Sequence, residues 1–180
     1  VTLFKKFGTA QFHWKEWDIE FVQARTESYS SESRNPVVAP GTLRDDQLRR
    51  DFTINAMAMG VNQENFGQLL DPFDGQSDLK NGIIRTPLNP QATFDDDPLR
   101  MMRAVRFASQ LGFTIEDQTL KGIQDKADRM GIISSDRIHV ELNKIIESKV
   151  PSIGLTWMHR GGLMPHVLPE ISALEGVDEV

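Results

Sequence analysis

The chain is 180 residues long, 39% hydrophobic and 26% charged, with a formal net charge of -6 and no cysteine. That balance suits one large or two small globular domains, and the missing thiols exclude disulfides and thiolate metal sites, which is compatible with a reducing cytoplasm. The acidic charge excludes a generally basic nucleic-acid-binding surface, so any RNA contact must be local, and no apolar run is long enough to span a bilayer.

The sequence starts at Val1-Thr2-Leu3-Phe4, without an initiator Met, in residues that already read as strand interior; a longer parent protein is expected. The runs Thr2 to Phe7, Ala10 to Trp14 and Trp17 to Val22 predict a β-hairpin or meander. Alternation in the third run puts Asp18, Glu20 and Val22 on one face and Ile19 and Phe21 on the other. Two carboxylates on one strand face are either solvated or part of a divalent-cation site. Thr26 to Pro40, rich in Ser, Glu, Asn and Pro, is expected to be a long mobile loop. Thr42-Leu43-Arg44-Asp45 has the form of a capping box opening a short helix that carries Arg49 and Arg50, with a strand from Ala56 to Val61 after it. Asp71-Pro72-Phe73-Asp74-Gly75 signals a turn. Ile83-Ile84-Arg85 reads as a brief strand before Pro87 and Pro90 stop regular structure, and a domain boundary is expected there.

Beyond Phe94 the periodicity becomes helical. Asp97 followed by Pro98 predicts a capped helix running to Leu111 and ended by Gly112. Further helices are expected from Glu116 to Arg129, from Ser135 with Ile138, Leu142, Ile145 and Ile146 at core spacing, from Ser152 to His159, and from Pro169.

The chemistry concentrates in two places. Arg49-Arg50-Asp51-Phe52-Thr53-Ile54-Asn55-Ala56-Met57 packs two guanidiniums, a carboxylate and an amide into an apolar segment. Guanidiniums offer planar donor forks to phosphate oxygens, and an amide can donate to and accept from a sugar hydroxyl, so the run suggests a nucleotide triphosphate site. Surface ion pairs at a helix end are the alternative. On the helix after Asp97, Arg100, Arg103 and Arg106 recur every three residues opposite Met101, Ala104, Val105 and Ala108. This face is either a row of ligand-binding guanidiniums or a solvated basic surface, and Asp97 either caps the helix or stands beside Arg100. Four histidines at 13, 139, 159 and 166 have no zinc or triad spacing. Met57, Met59, Met101 and Met102 read as core, Trp14 and Trp17 as packing around the hairpin turn, and Asp95-Asp96-Asp97 as a cap rather than a metal site.

Taken in order, the Arg49 to Met57 string, Asp71-Pro72-Phe73-Asp74-Gly75 with Asp78-Leu79 and Ile84-Arg85, and Asp96-Asp97-Pro98-Leu99-Arg100 leading into Arg103-Ala104-Val105-Arg106-Phe107 resemble the class II tRNA nucleotidyltransferase and bacterial poly(A) polymerase family. Phe7-Gly8-Thr9-Ala10 and Leu168-Pro169-Glu170-Ile171 extend the resemblance over nearly the whole chain. It implies an α+β architecture: the end of a palm domain of mostly antiparallel β-structure with short helices over residues 1–90, a helical neck over 91–150 and the start of a helical body over 151–180. It implies that Arg49, Arg50, Asp51 and Asn55 meet the ribose and triphosphate of an incoming nucleotide. By the same kinship Asp97 and Arg100 read the base edge of CTP and then ATP, and Arg103 and Arg106 are further nucleotide ligands. Glu20, five residues before Arg25, matches a catalytic carboxylate that shares Mg²⁺ with two aspartates spaced Asp-x-Asp. Those aspartates and the family's glycine-rich segment have no counterpart here, so they are expected upstream of Val1 and the chain alone is expected to be inactive. Asp96 stands where the family commonly has glutamate; one methylene is about 1.5 Å, and no direct role is assigned to it. The implied reaction adds CCA to a tRNA 3′ end with release of pyrophosphate. Poly(A) addition, restricted CC or A addition, and a non-catalytic nucleotide- or RNA-binding module are the alternatives.

Overall fold

A computed structural model describes residues 1–4, 8–30, 33–174 and 176, in an α+β arrangement of two compact units, Val1–Arg49 and Arg50–Val180. In the first unit, β1 (Thr2–Phe4), β2 (Thr9–Trp14) and β3 (Trp17–Val22) form an antiparallel meander in that order, as the alternating runs predict. Residues 5–7, which the sequence reading included in the first strand, lie outside the described residues.

The expected loop from Thr26 to Pro40 is instead a hairpin of β4 (Arg25–Ser30) and β5 (Ser33–Pro40), with residues 31–32 outside the described set. Pairs such as Thr26↔Ala39 and Glu27↔Val38 satisfy the backbone across the ribbon. A two-stranded ribbon also has outer edges on which proline is tolerated, which is why Pro36 and Pro40 do not exclude strand. Then comes α1 (Leu43–Leu48), opened by a complete capping box: the Asp45 N–H donates to Thr42 Oγ1 at 3.2 Å and the Thr42 N–H to Asp45 Oδ2 at 2.8 Å. The helix is shorter than expected, since Arg49 is its C-cap and Arg50 lies beyond it.

The second unit begins with a 3₁₀ turn at Thr53–Asn55. The strand expected from Ala56 to Val61 contracts to β6 (Ala58–Met59), paired with β7 (Leu69–Leu70). Three helices were not foreseen, the third a single turn at Met164–Val167. The turn at Asp71 leads directly into α2 (Gly75–Asn81), and Pro90 starts α3 (Pro90–Asp96), where its fixed φ suits the first helical position. Between them β8 (Ile83–Ile84) pairs in parallel with β9 (Thr114–Ile115), which follows the central helix α4 (Leu99–Leu111). Gly112 ends α4 at φ 69, the left-handed conformation that favours glycine. After β9 come α5 (Asp117–Lys126), which passes into a 3₁₀ stretch at Ala127–Ile132, then α6 (Ser135–Ile146), α7 (Pro151–Arg160), α8 (Met164–Val167) and α9 (Pro169–Ser172). The N-cap position of α6 is Ser134, one residue before the expected Ser135.

The core of this unit is organised around α4, whose Met101, Met102, Ala104, Val105 and Ala108 are completely buried among Phe52, Ile84, Phe94, Ile123, Ile145 and Met158. Among the described residues no helix is long and apolar enough to cross a membrane.

Asp71 replaces the missing acceptors at the start of α2: its carboxylate takes the N–H groups of Gly75 at 2.7 Å and Gln76 at 2.9 Å. Desolvation pushes its pKa up, but the N–H donors of Gln76 and Gly75 together outweigh that, so the group titrates below its ordinary range. A depressed folded-state pKa contributes stability that is present above the unfolded value and lost as pH falls through the folded one. Asp71→Ala should therefore cost about 1 kcal/mol at pH 7, a typical cap contribution, with the gap closing below about pH 4. Urea unfolding of both proteins across pH 3 to 7 checks this; a gap independent of pH would remove the carboxylate from the account.

Candidate functional site

The run Asp51–Asn55 and the helix α4 meet through one carboxylate. Asp51 is buried, and its Oδ1 accepts from the Phe52 N–H at 2.9 Å and Asn55 Nδ2 at 3.1 Å. Its Oδ2 accepts from Arg103 Nε at 2.7 Å and lies 2.6 Å from Arg103 Nη2, so the two nitrogens of the guanidinium fork converge on one oxygen. Asp51, Asn55 and Arg103 are therefore one assembly joined over 52 positions of sequence. Phe107 seals its apolar side. Its ring meets Phe52 edge-on at 5.8 Å and lies under both neighbouring guanidiniums, Arg106 at 4.2 Å and Arg103 at 5.4 Å.

Asp97 is the single extended residue between α3 and α4, at φ -144 and ψ 101. Its Oδ1 accepts from the Leu99 N–H at 3.1 Å, but the N-cap position itself belongs to Pro98, one residue after the expected Asp97. Its Oδ2 is 3.2 Å from Arg137 Nη2 on α6. Arg100 is buried, and its Nη1 donates to the Thr93 carbonyl at 3.4 Å. Both groups of the expected base-reading pair thus have a fixed orientation at the N-terminal end of α4.

Arg106 differs from its helix neighbours. It is buried beside Glu141 of α6, with Arg106 Nε 3.2 Å from Glu141 Oε2, and Lys144 approaches the other carboxylate oxygen at 3.6 Å. Burial pushes the Arg106 pKa down and the Glu141 charge opposes that. The basic stripe of α4 is therefore not a solvated surface: Arg100 and Arg106 are buried and Arg103 is 34% exposed in its side chain. Phe107, Arg137 and Glu141 carry this arrangement without having been singled out from the sequence. The signal that could have found Glu141 is its position three residues after Ile138, on the buried side of α6.

Arg50 is exposed at the start of the second unit. Arg49 and Glu20 belong to the first. Arg49 pairs with the buried Asp46, Nε to Oδ1 at 2.9 Å. Glu20 is exposed on β3 opposite Gln11, while Asp18 on the same face is bonded to His13 Nδ1 at 2.8 Å. Among the described residues no group of three or more carboxylate or imidazole side chains is placed to hold a metal ion. A lone Glu20 does not fit an octahedral Mg²⁺ by itself.

Residues 1–85 match the family described as Poly A polymerase head domain, and residues 112–174 match the one described as Probable RNA and SrmB-binding site of polymerase A. The CCA-adding enzyme of Lactiplantibacillus plantarum is 47% identical over 134 residues, which are 73% of this chain and 32% of that protein. The CC-adding tRNA nucleotidyltransferase of Halalkalibacterium halodurans is 41% identical over 71% of this chain and 32% of its own length. A solved tRNA nucleotidyltransferase, complexed with a primer tRNA and an incoming ATP analog, superposes with a TM-score of 0.79 at 31% identity, over 93% of this chain and 46% of that one. The chain spans about a third of the length of the curated relatives it matches. With both segments matched, and with kinship extending through the neck helices that hold Asp97 and Arg100, the chain belongs to the class II tRNA nucleotidyltransferase and poly(A) polymerase family.

Proposed function

We propose that the whole protein adds CCA to tRNA 3′ ends from CTP and ATP, releasing pyrophosphate, with residues 1–90 ending a head domain, 91–150 forming the neck and 151–180 beginning the body. The observation that carries this reading is the placement of Asp97 just before α4 and of Arg100 and Arg103 along it, with Arg103 locked to the Asp51–Asn55 turn. A carboxylate accepts from the exocyclic amine shared by cytosine and adenine, and a guanidinium donates to a ring nitrogen or carbonyl oxygen. One fixed pair can therefore accept both bases and reject uracil, which lacks the amine.

In this reading Asp97 and Arg100 meet the base, while Asn55 and Arg103 face the ribose and phosphates with Asp51 holding both. Arg49 and Arg50 supply phosphate donors from the start of the motif, and Arg106 anchors the helix face from behind. Glu20 contributes one carboxylate to a Mg²⁺ site of the whole protein whose other ligands lie outside these 180 residues. When bound, Mg²⁺ would stabilise charge on the transferring phosphate. The 180-residue chain alone is then inactive, and a cytoplasmic setting is compatible with these substrates.

Incubating the whole protein with tRNA lacking its 3′ CCA, and with an unrelated RNA, tests this directly. Three added residues with CTP and ATP together, on tRNA only, are expected. Two residues would assign CC addition as in the Halalkalibacterium halodurans relative, one residue on a CC-ended tRNA would assign A addition, and long tails on either RNA would assign poly(A) synthesis. No incorporation at all would leave a nucleotide- or RNA-binding module.

A further inference from the structure

We propose that Lys126 and Arg129 are positioning residues for the base-reading pair and act through Asp95; the inference rests on the reading of Asp97 and Arg100 given above. Asp95 lies in the last turn of α3, two residues before Asp97. Its side chain is held by two cations from a distant stretch of sequence: Lys126 Nζ donates to Oδ2 at 2.7 Å, and Arg129 Nε lies 3.2 Å from Oδ1. Its main chain is held as well, because Arg129 Nη2 donates to the Asp95 carbonyl at 3.1 Å.

The last carbonyls of a helix have no partner within it. In α3 they are taken up in a way that fixes the joint to α4. The Thr93 carbonyl receives the Asp97 N–H at 3.5 Å and the Arg100 guanidinium at 3.4 Å, and the Asp95 carbonyl receives Arg129. Only Asp97 and Pro98 separate the two helices, and of these only Asp97 is extended, so a rotation of the end of α3 is transmitted directly to the Asp97 carboxylate. The platform supplying the two cations is itself pressed onto α3. A Cβ at Gly122 of α5 would come within 2.4 Å of the Pro90 Cβ and within 3.3 Å of the Phe94 ring. Arg137 of α6 holds the Asp97 carboxylate itself, Nη2 to Oδ2 at 3.2 Å.

These pairs are partly exposed, with 26% of the Lys126 side chain and 27% of the Arg129 side chain accessible, so their effect on stability is small. Their effect on geometry is larger, because a 1 Å misplacement of a reading group can cost about a hundredfold in rate. Loosening the joint lets Asp97 and Arg100 tolerate a wrong base edge. The observable consequence is a loss of discrimination between CTP and UTP.

The test uses the whole protein with tRNA lacking its CCA, measuring kcat and KM for CTP and UTP on Arg129→Ala, Arg129→Lys, Asp95→Asn and, as a control, Lys121→Ala. Lys121 makes a comparable pair with Asp125 on the same helix, at 2.7 Å, without touching the joint. The preference for CTP, as the ratio of kcat/KM values, is expected to fall about tenfold in Arg129→Ala and in Asp95→Asn, through a raised KM for CTP. Arg129→Lys should not restore it, since a compact ammonium lacks the planar fork whose separate nitrogens reach the side chain and the carbonyl. Lys121→Ala should keep the wild-type ratio. An unchanged ratio in Arg129→Ala and Asp95→Asn, while Arg100→Ala loses nucleotide binding, would overturn the positioning role and leave the base-reading assignment standing. A loss of the same size in Lys121→Ala would also overturn it, as general loosening of α5. If Arg100→Ala binds like wild type, the base-reading assignment itself fails.

Discussion

Replacing Glu141 by alanine is expected to destabilise the protein by about 3 kcal/mol, the lower end of the range for removing one partner of a buried ion pair. Arg106 would remain with 8% exposure, packed on Phe107, and with no opposing carboxylate in contact. Desolvation already pushes its pKa down, and losing Glu141 removes the larger of the two carboxylate charges, Glu141 and Asp51, that oppose that shift. For a chain of this size the corresponding fall in melting temperature is about 6–12 °C. The double variant Glu141→Leu with Arg106→Met should recover most of the loss, because an apolar pair of similar volume avoids the desolvation cost. If Glu141→Ala shifts the transition by less than 2 °C, water reaches Arg106 and the pair does not anchor α4. The functional consequence runs through the same helix, since Arg103 precedes Arg106 by one turn and depends on that register to meet Asp51.

Particular elements explain how much of this could be read before the fold was known. The ends of α4 were legible to within a residue because Asp97-Pro98 and Gly112 act through local backbone chemistry: Gly112 is left-handed as expected, while the N-cap falls on Pro98 and the Asp97 side chain reaches the Leu99 N–H from one residue further out. The capping box at Thr42 and Asp45 was legible for the same reason. The hairpin of β4 and β5 was not, because Ser, Asn and Pro carry loop statistics while the cross-strand backbone pairing that overrides them is invisible in composition. Helix α2 was hidden because Asp71 caps it from four residues before Gly75. The candidate site was half legible. Residue types and spacing pointed to Asp51, Asn55, Asp97 and the arginines, but periodicity gives an exposed basic stripe and a covered one the same pattern. Covering comes from Glu141 and Arg137, 35 and 40 positions away from Arg106 and Asp97, and no local rule connects them.

The cleanest test of the base-reading pair is Arg100→Ala, measured by thermal protection of the whole protein with CTP and with ATP. Hydrogen bonds to a charged group are worth about 1.5–3 kcal/mol, so removing the guanidinium should weaken binding of each nucleotide by about 2 kcal/mol, or roughly thirtyfold. At a nucleotide concentration a hundred times the wild-type Kd, protection of about 2.7 kcal/mol should fall to about 0.9 kcal/mol. Arg103→Ala is a poorer probe, because it also strips the buried Asp51 of its fork and costs stability without any ligand. Arg100 Nη1 donates to the Thr93 carbonyl, which still receives the Asp97 N–H after truncation. Loss of protection should be equal for the two nucleotides, because one guanidinium serves both bases in the proposed scheme. A loss confined to ATP would mean that cytosine is read elsewhere, and full protection by both would separate Arg100 from the base altogether.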